Sequence, residues 1–351
     1  MKLEKPASVF MLFLLVFWLI VQFGIGVVIY VAYELGNPIN IMDHLWVMAL
    51  VQLSGLLLPL FLWLIITKDS FKRNMPNKPL GVTNFVLLVI MSFLMIPAVM
   101  LISAISSLFV TNDVAVLLQS LNAQPWWLMM LVFAVVPGVV EELVFRGYIQ
   151  SNTRGCIAKV AILNGFLFAI MHLNPHQFVY TFVLGVIFAY MVYHTKSIWA
   201  GIIPHFLING INVMLSHWAM GAVSNGYEYA ADEPTLAQHL YEIFAPTNPD
   251  FAQRAYEWAY NVNIDLLLIG VLGIFAVFTT AGFAGVFVAF VSHNRKRSKE
   301  SEALQEEVPQ QEEAMQLETG EPPKRFKMDW WLAAVVVIYL LVVVTPFFIS
   351  S

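Results

Sequence analysis

The chain has 351 residues, of which 59% are hydrophobic and only 12% are charged. A soluble domain has about one quarter charged residues, so this composition excludes an ordinary soluble protein and indicates a polytopic membrane protein. The formal net charge is -5, and no nucleic-acid partner is expected. The single cysteine, Cys156, excludes an intramolecular disulfide and a cluster of cysteine ligands around a metal.

Long apolar segments recur along the whole chain. A membrane-spanning helix needs roughly 20 apolar residues, within a range of about 17–25. The first segment is too long for a signal peptide and ends without a small-residue cleavage site, so we interpret it as a retained helix. By this rule the sequence predicts an all-α, polytopic transmembrane helix bundle of about nine spans, near 8–33, 44–67, 84–110, 126–149, 158–174, 177–194, 198–218, 263–292 and 330–349.

The distribution of Lys and Arg predicts the orientation of these spans. Cytoplasmic loops of membrane proteins collect Lys and Arg. If the N-terminus is cytoplasmic, the inner connections hold almost all of the loop cations, whereas the outer connections hold only Arg254. The sequence therefore predicts a cytoplasmic N-terminus, and nine spans then place the C-terminus outside.

The sequence divides into three predicted parts. Residues 1–292 form a membrane-embedded core, which includes an outer loop at about 219–262. This loop is rich in aromatic and acidic side chains, which favours an ordered cap or an interfacial helix. Residues 293–329 are acidic, and most of this stretch has no aromatic side chain, so it is predicted to be a disordered cytoplasmic linker. Residues 330–351 then form an appended C-terminal transmembrane helix.

Polar side chains inside three predicted spans are the candidate functional residues, because ionisable groups at membrane depth are costly. Residues four apart share a helix face, so Glu142 can pair with Arg146. Glu141 lies about 100° further round the same helix and faces elsewhere. The polar residues that stand out on the fourth, fifth and seventh spans are Glu141, Glu142, Arg146, Asn164, His172, His205, Asn209 and Asn212.

These residue types fit the hydrolysis of an amide bond. A carboxylate and a histidine can activate a water, while a second histidine and an asparagine can donate hydrogen bonds to an oxyanion. Each group could instead join helices by polar contacts, and the pairing of Glu142 with Arg146 could be purely structural. A divalent metal such as zinc is a further option, because Glu141, His172 and His205 would supply three ligands.

Three short motifs carry these residues in order: EExxxR at Glu141–Arg146, FxxxH at Phe168–His172 and HxxxN at His205–Asn209. Their order and spacing resemble the CPBP family of intramembrane proteases. This family includes CAAX prenyl proteases of the Ras-converting type and bacteriocin-processing or immunity proteins. The resemblance covers about residues 126–218, and the acidic linker, the outer loop and the ninth span lie outside it.

The resemblance implies catalytic roles for four residues. Glu141 would be the general base, and His172 would help to polarise the same water. His205 and Asn209 would form the oxyanion site. Members of the family have been described both as metalloproteases and as metal-independent glutamate proteases, so the metal remains open.

The resemblance also implies that Glu142, Arg146 and Phe168 shape the site or contact the substrate. The partners would be the lipid bilayer and a peptide or membrane-protein substrate, which is prenylated for the CAAX proteases. The expected location is the cell (inner) membrane of a bacterium, with cleavage near the cytoplasmic side.

Two other classes of function stay open on the sequence. The outer loop and the ninth span suit a non-catalytic membrane scaffold or an immunity protein that binds a toxin or a partner helix. A proton-coupled transporter could use Glu141 and the histidines, although the sequence shows no internal repeat of the kind that such folds often have.

Overall fold

The computed structural model is helical along most of the part that it describes, which comprises residues 7–37, 39, 45–71, 75–121, 123–153, 155–224, 236–261, 264–296, 299 and 330–344. This part contains no β-strand, and its one isolated bridge joins Asn77 to Ser197. The helices are α1 (Ala7–Glu34), α2 (Leu45–Thr67), α3 (Val82–Ser107), α4 (Asp113–Ser120), α5 (Trp126–Asn152), α6 (Ile157–Met171), α7 (Pro175–Thr195), α8 (Trp199–Ser224), α9 (Leu236–Phe244), α10 (Pro249–Asn261), α11 (Ile264–His293) and α12 (Trp330–Tyr339).

Seven of these helices are long and apolar enough to cross a membrane: α1, α2, α3, α5, α7, α8 and α11. Helices α6 and α12 are apolar but shorter. Each of the nine predicted segments corresponds to one of these nine helices. The prediction of an all-α polytopic bundle is confirmed, and the chain is an integral membrane protein.

Helix α5 is not a regular α-helix. Its α-helical stretches Trp126–Met130 and Val136–Glu142 alternate with the π-helical stretches Leu131–Val135 and Leu143–Ile149. Pro137 has no N–H to donate and lies where the first π-helical stretch gives way to the second α-helical stretch. Short π-helical stretches within α-helices are often found at functional sites. The two adjacent glutamates end the second α-helical stretch, directly before the backbone widens again.

Three hydrophobic clusters hold the bundle together. One lies between α1, α2, α5, α6 and α12 and contains Phe10 and Phe145. A second joins α3, α7, α8 and α11 around Met91 and Phe188, and a third contains Leu118 of α4. Helix α8 contributes to the second and third clusters, and α5 to the first and third.

Helices α6 and α7 form a tight hairpin with direct backbone contact. A Cβ added to Gly185 would lie 2.6 Å from the Cα of Gly165, so neither position has room for a side chain. The turn uses Leu173 at a positive φ of 49°. Asn174 then caps α7, because its side chain accepts hydrogen bonds from the N–H groups of His176 and Gln177. The close approach of Gly165 and Gly185 brings Phe168, the first residue of the FxxxH motif, against α7.

Helix α12 packs against α1, while its assignment as an appended C-terminal helix stays a prediction. Val335, Tyr339 and Val343 are buried in the same cluster as Phe10 of α1. The ring of Tyr339 lies 5.6 Å from that of Phe178 on α7. The boundaries of the three predicted parts of the chain stay a prediction.

The outer loop contains two helices, α9 and α10, that pack on each other. The rings of Phe244 and Phe251 meet edge to face at 4.8 Å, and those of Tyr241 and Tyr256 at 6.2 Å. An ordered segment is thus observed within residues 236–261, while its position at the membrane surface stays a prediction. Almost all of the acidic linker lies outside the described residues, so its predicted disorder is untested.

Candidate functional site

A buried ion pair on α5 forms one wall of the site. Arg146 Nη1 donates to Glu142 Oε1 at 2.7 Å, and both side chains are 0% exposed. Arg146 Nη2 donates to the carbonyl oxygen of Gly185 on α7 at 3.0 Å. The guanidinium also lies over the rings of Phe168 and Phe188, at 4.6 and 5.5 Å from their centroids. The pairing expected from the four-residue spacing is therefore observed, and α6 and α7 hold it in place.

His205 of α8 lies between the two glutamates. Its Nδ1 is 3.0 Å from Glu142 Oε1, and its Nε2 is 3.8 Å from Glu141 Oε2. The carboxylate of Glu142 accepts hydrogen bonds, so Nδ1 carries the hydrogen and Nε2 faces Glu141. Gly201 makes this approach feasible, because a Cβ there would collide with Glu142 Oε2. Glu142 thus sets the orientation and the tautomer of His205.

His172 follows the last residue of α6 and reaches Glu141 from another direction. Its Nδ1 lies 2.8 Å from the carbonyl oxygen of Phe168, one turn earlier on α6. A carbonyl can only accept a hydrogen bond, so Nδ1 is the donor. The opposite nitrogen, Nε2, is 3.9 Å from Glu141 Oε2. Both histidines therefore turn their Nε2 atoms towards the same carboxylate oxygen.

The two oxygens of Glu141 have different surroundings. Oε1 accepts a hydrogen bond of 3.1 Å from Gln52 Nε2 on α2. Oε2 is buried and accepts no hydrogen bond within the described part of the chain. Glu141 Oε2 and the two Nε2 atoms therefore converge at separations too long for direct hydrogen bonds. One water between them can donate to Oε2 and to a ring nitrogen, because such gaps are those that water bridges.

A cavity of about 160 Å³ opens beside Glu141, with space for several waters. Its walls come from α1, α2, α5 and the end of α6. Apolar walls with a few grouped polar side chains are typical of small-molecule and substrate sites. The polar members are Gln52, Glu141 and His172, and the apolar ones are Trp18, Leu56, Phe145 and Met171.

Asn209 and Asn164 lie further from this cavity. Asn209 is half-buried one turn after His205 on α8, on the face that the spacing predicts, but it does not line the cavity. Asn164 Nδ2 donates to the carbonyl oxygen of Phe145 at 2.8 Å. This bond fastens α6 to α5, so Asn164 has a structural contact outside the catalytic group.

Glu141 lies further from the two histidines than the ligands of a tetrahedral zinc lie from each other, and the metal itself stays a prediction. Ligands at about 2.0–2.1 Å around a tetrahedral zinc lie roughly 3.3 Å from each other. Glu141 Oε2 is instead 3.9 Å from His172 Nε2 and 3.8 Å from His205 Nε2. In the residues that the structure describes, no group of three or more His, Cys, Asp or Glu side chains has metal-binding geometry.

Gln52 and Trp18 are site residues that sequence reasoning missed. Both lie on helices before the motif-bearing segment, and neither belongs to a motif. The sequence does contain one indication that Gln52 could be functional: it is one of the few polar residues in the apolar span near 44–67. Trp18 gave no such signal, since a tryptophan in a membrane helix is usually a lipid-facing or packing residue.

The fold and the site define the class: an integral membrane protein with a buried carboxylate–histidine centre at the meeting point of α5, α6 and α8. Residues 123–211, which contain all three motifs, match the family model of "Type II CAAX prenyl endopeptidase Rce1-like". The resemblance of this segment to the CPBP proteases is confirmed.

A curated protein of Bacillus subtilis (strain 168), named "Putative membrane peptidase YdiL", is similar to part of the chain. It is 28% identical over 110 residues, which is 30% of this chain and 43% of that protein. The match thus spans less than half of the relative. No solved structure matches the chain.

Proposed function

We propose that the protein is an intramembrane endopeptidase that hydrolyses a peptide bond with a water activated by Glu141 and His172. The observation that carries this proposal is the convergence of Glu141 Oε2 with the Nε2 atoms of His172 and His205, at 3.8–3.9 Å. A water held there has its hydrogens turned to the acceptors and a lone pair free for attack.

The reaction follows from that arrangement. The water oxygen attacks the carbonyl carbon of the scissile bond, while one of its protons passes to Glu141 Oε2. The carbonyl oxygen becomes an oxyanion, to which His205 Nε2 and the amide of Asn209 donate hydrogen bonds. Glu141 then gives its proton to the leaving nitrogen as the C–N bond breaks. The water thereby supplies OH to the carbonyl carbon and H to the amine.

The charges around His205 support its role as a donor. With Nδ1 bonded to Glu142, Nε2 can donate only when the ring carries a positive charge. Glu141 and Glu142 bring two negative charges to the centre, and Arg146 brings one positive charge. A protonated His205 would make this buried group neutral overall, which lowers the cost of burying it.

The family suggests the class of substrate. The family is described as a CAAX prenyl endopeptidase, which supports a peptide or membrane-protein substrate and makes a prenylated tail the first one to test. The Bacillus relative supports a bacterial cell membrane as the location. The excess of Lys and Arg in the predicted inner loops supports cleavage on the cytoplasmic side.

The test compares wild type with Glu141→Gln, which preserves the shape of the side chain and removes the base. Both proteins are assayed in detergent against quenched peptides with a farnesylated CAAX end, the same peptides without the lipid, and a panel of membrane peptides. We expect wild type to cleave at least one class and Glu141→Gln to be slower by about 10²–10⁴-fold. Glu34→Gln, an exposed position at the end of α1, is the matched control and should retain activity.

Addition of a chelator to the wild type tests the predicted metal directly, since only a metal-dependent enzyme loses activity. A Glu141→Gln variant that cleaves at the wild-type rate would contradict the proposal. Capture of a partner protein that survives Glu141→Gln, without cleavage, would favour a non-catalytic binding role.

A further inference from the structure

Gln52 contacts the centre from outside the family segment. It lies on α2, 71 positions before the start of the matched residues 123–211. Its Nε2 donates to Glu141 Oε1 at 3.1 Å across a sequence separation of 89 residues. Because this bond occupies Oε1, the other oxygen, Oε2, is the one that faces the two histidines.

The chemistry of an amide suits this position. A lysine or arginine here would supply a donor and also a positive charge, which would reduce the ability of Glu141 to take a proton. Glutamine donates a hydrogen bond and stays neutral. It can therefore fix the carboxylate without competing with the water for the proton.

Packing of α2 holds Gln52 at this place. Gly55, one turn later, has the ring of Trp18 directly over it, and a Cβ there would collide with that ring. Leu56 and Leu60 on the same side of α2 are buried at 3% and 5% exposure. The face of α2 that carries Gln52 is thus locked against α1 and α5. A side chain on a locked face has few alternative positions, so its hydrogen bond is preorganised.

We propose that Gln52 is a positioning residue, an inference that rests on the proposed function. Gln52 anchors Glu141 Oε1 and thereby leaves Oε2 as the oxygen that takes the proton from water. The functional centre then extends from the matched segment to α2. The role is confined to Glu141, because Gln52 has to act through that carboxylate and not on the substrate.

The first test is kinetic and uses Gln52→Leu and Gln52→Met, both close in size to glutamine and both without a hydrogen-bond donor. We expect kcat to fall about 10–100-fold, as for other residues that orient a catalytic ligand, with KM unchanged. The matched control is Gln150→Leu, which removes a half-buried amide that donates to the carbonyl of Ala189 at 2.9 Å. It should keep the wild-type kcat. A raised KM with an unchanged kcat would overturn the proposal, since it would show that Gln52 binds substrate.

A second readout does not require peptidase activity. Dicyclohexylcarbodiimide modifies protonated carboxyl groups in apolar surroundings, and peptide mass spectrometry measures modification at Glu141. A hydrogen bond to the carboxylate favours its charged form, so Gln52→Leu should increase labelling severalfold and Gln150→Leu should not. Equal labelling of wild type and Gln52→Leu would overturn the positioning role. Increased labelling, without hydrolysis by wild type, would contradict the peptidase proposal and the proton-transfer role, and would leave only the anchoring of Glu141 Oε1 by Gln52.

Discussion

Replacing Arg146 by methionine tests the buried ion pair. Methionine is a long, flexible apolar side chain without a charge, so the change removes the partner of Glu142 and leaves that carboxylate fully buried. It also removes the hydrogen bond to the carbonyl of Gly185 on α7. Glu142 would keep only the contact with His205, at 3.0 Å.

The expected loss is about 3–5 kcal/mol of unfolding free energy, which is the typical cost of leaving one member of a buried pair without its partner. The lost stacking of Arg146 on Phe168 and Phe188 adds about 0.5–2 kcal/mol. Contacts of the methionine sulfur with the same rings return about 0.3–1.5 kcal/mol, so these two contributions nearly cancel. Adding Glu142→Gln to Arg146→Met removes the unpaired charge and should recover at least half of the loss.

Equilibrium unfolding by sodium dodecyl sulfate in mixed micelles, followed by circular dichroism, measures these free energies. Arg254→Met, at an exposed position on α10, is the control and should change stability by less than about 0.5 kcal/mol. If Arg146→Met matches the control, or if the double variant is as unstable as the single one, the account of the buried pair is wrong.

Two further predictions use other parts of the molecule. Gly201→Ala should destabilise the protein, because its Cβ would collide with Glu142 Oε2, whereas Gly285→Ala on α11 meets nothing within 4 Å and should be neutral or stabilising by up to about 1 kcal/mol. The same detergent titration compares the two variants, and equal effects would contradict the proposed contact. Replacement of α9 and α10 by a short Gly/Ser linker should leave peptide cleavage close to the wild-type rate. Loss of function in this linker variant, together with retained function in Glu141→Gln, would instead favour a non-catalytic binding protein.

The helices and much of the site could be predicted from the sequence because both depend on local rules. Apolar runs of sufficient length predict the spans. The period of the α-helix predicts that Glu142 meets Arg146 and that Glu141 faces another direction. The motifs predict that His172 and His205 approach the glutamates, and both histidines do so.

The remaining features depend on packing between distant segments, which a single sequence does not encode as a pattern. Which face of α2 meets α5 determines that Gln52 reaches Glu141, and no motif marks that face. The bond from His205 Nδ1 to Glu142 likewise depends on the close approach of α8 at Gly201. The burial of Val335 was missed because the long polar linker suggested a helix separate from the bundle.

The contact between α1 and α12 has a consequence for how the protein is made. These helices are far apart in the sequence, and the buried residues Phe10 and Val335 belong to one cluster. During synthesis the part of α1 that packs against α12 is therefore inserted long before α12 exists to cover it. Until then lipid or a chaperone has to cover that part of α1, and the cluster that supports α5 and α6 is completed only after α12 has been made.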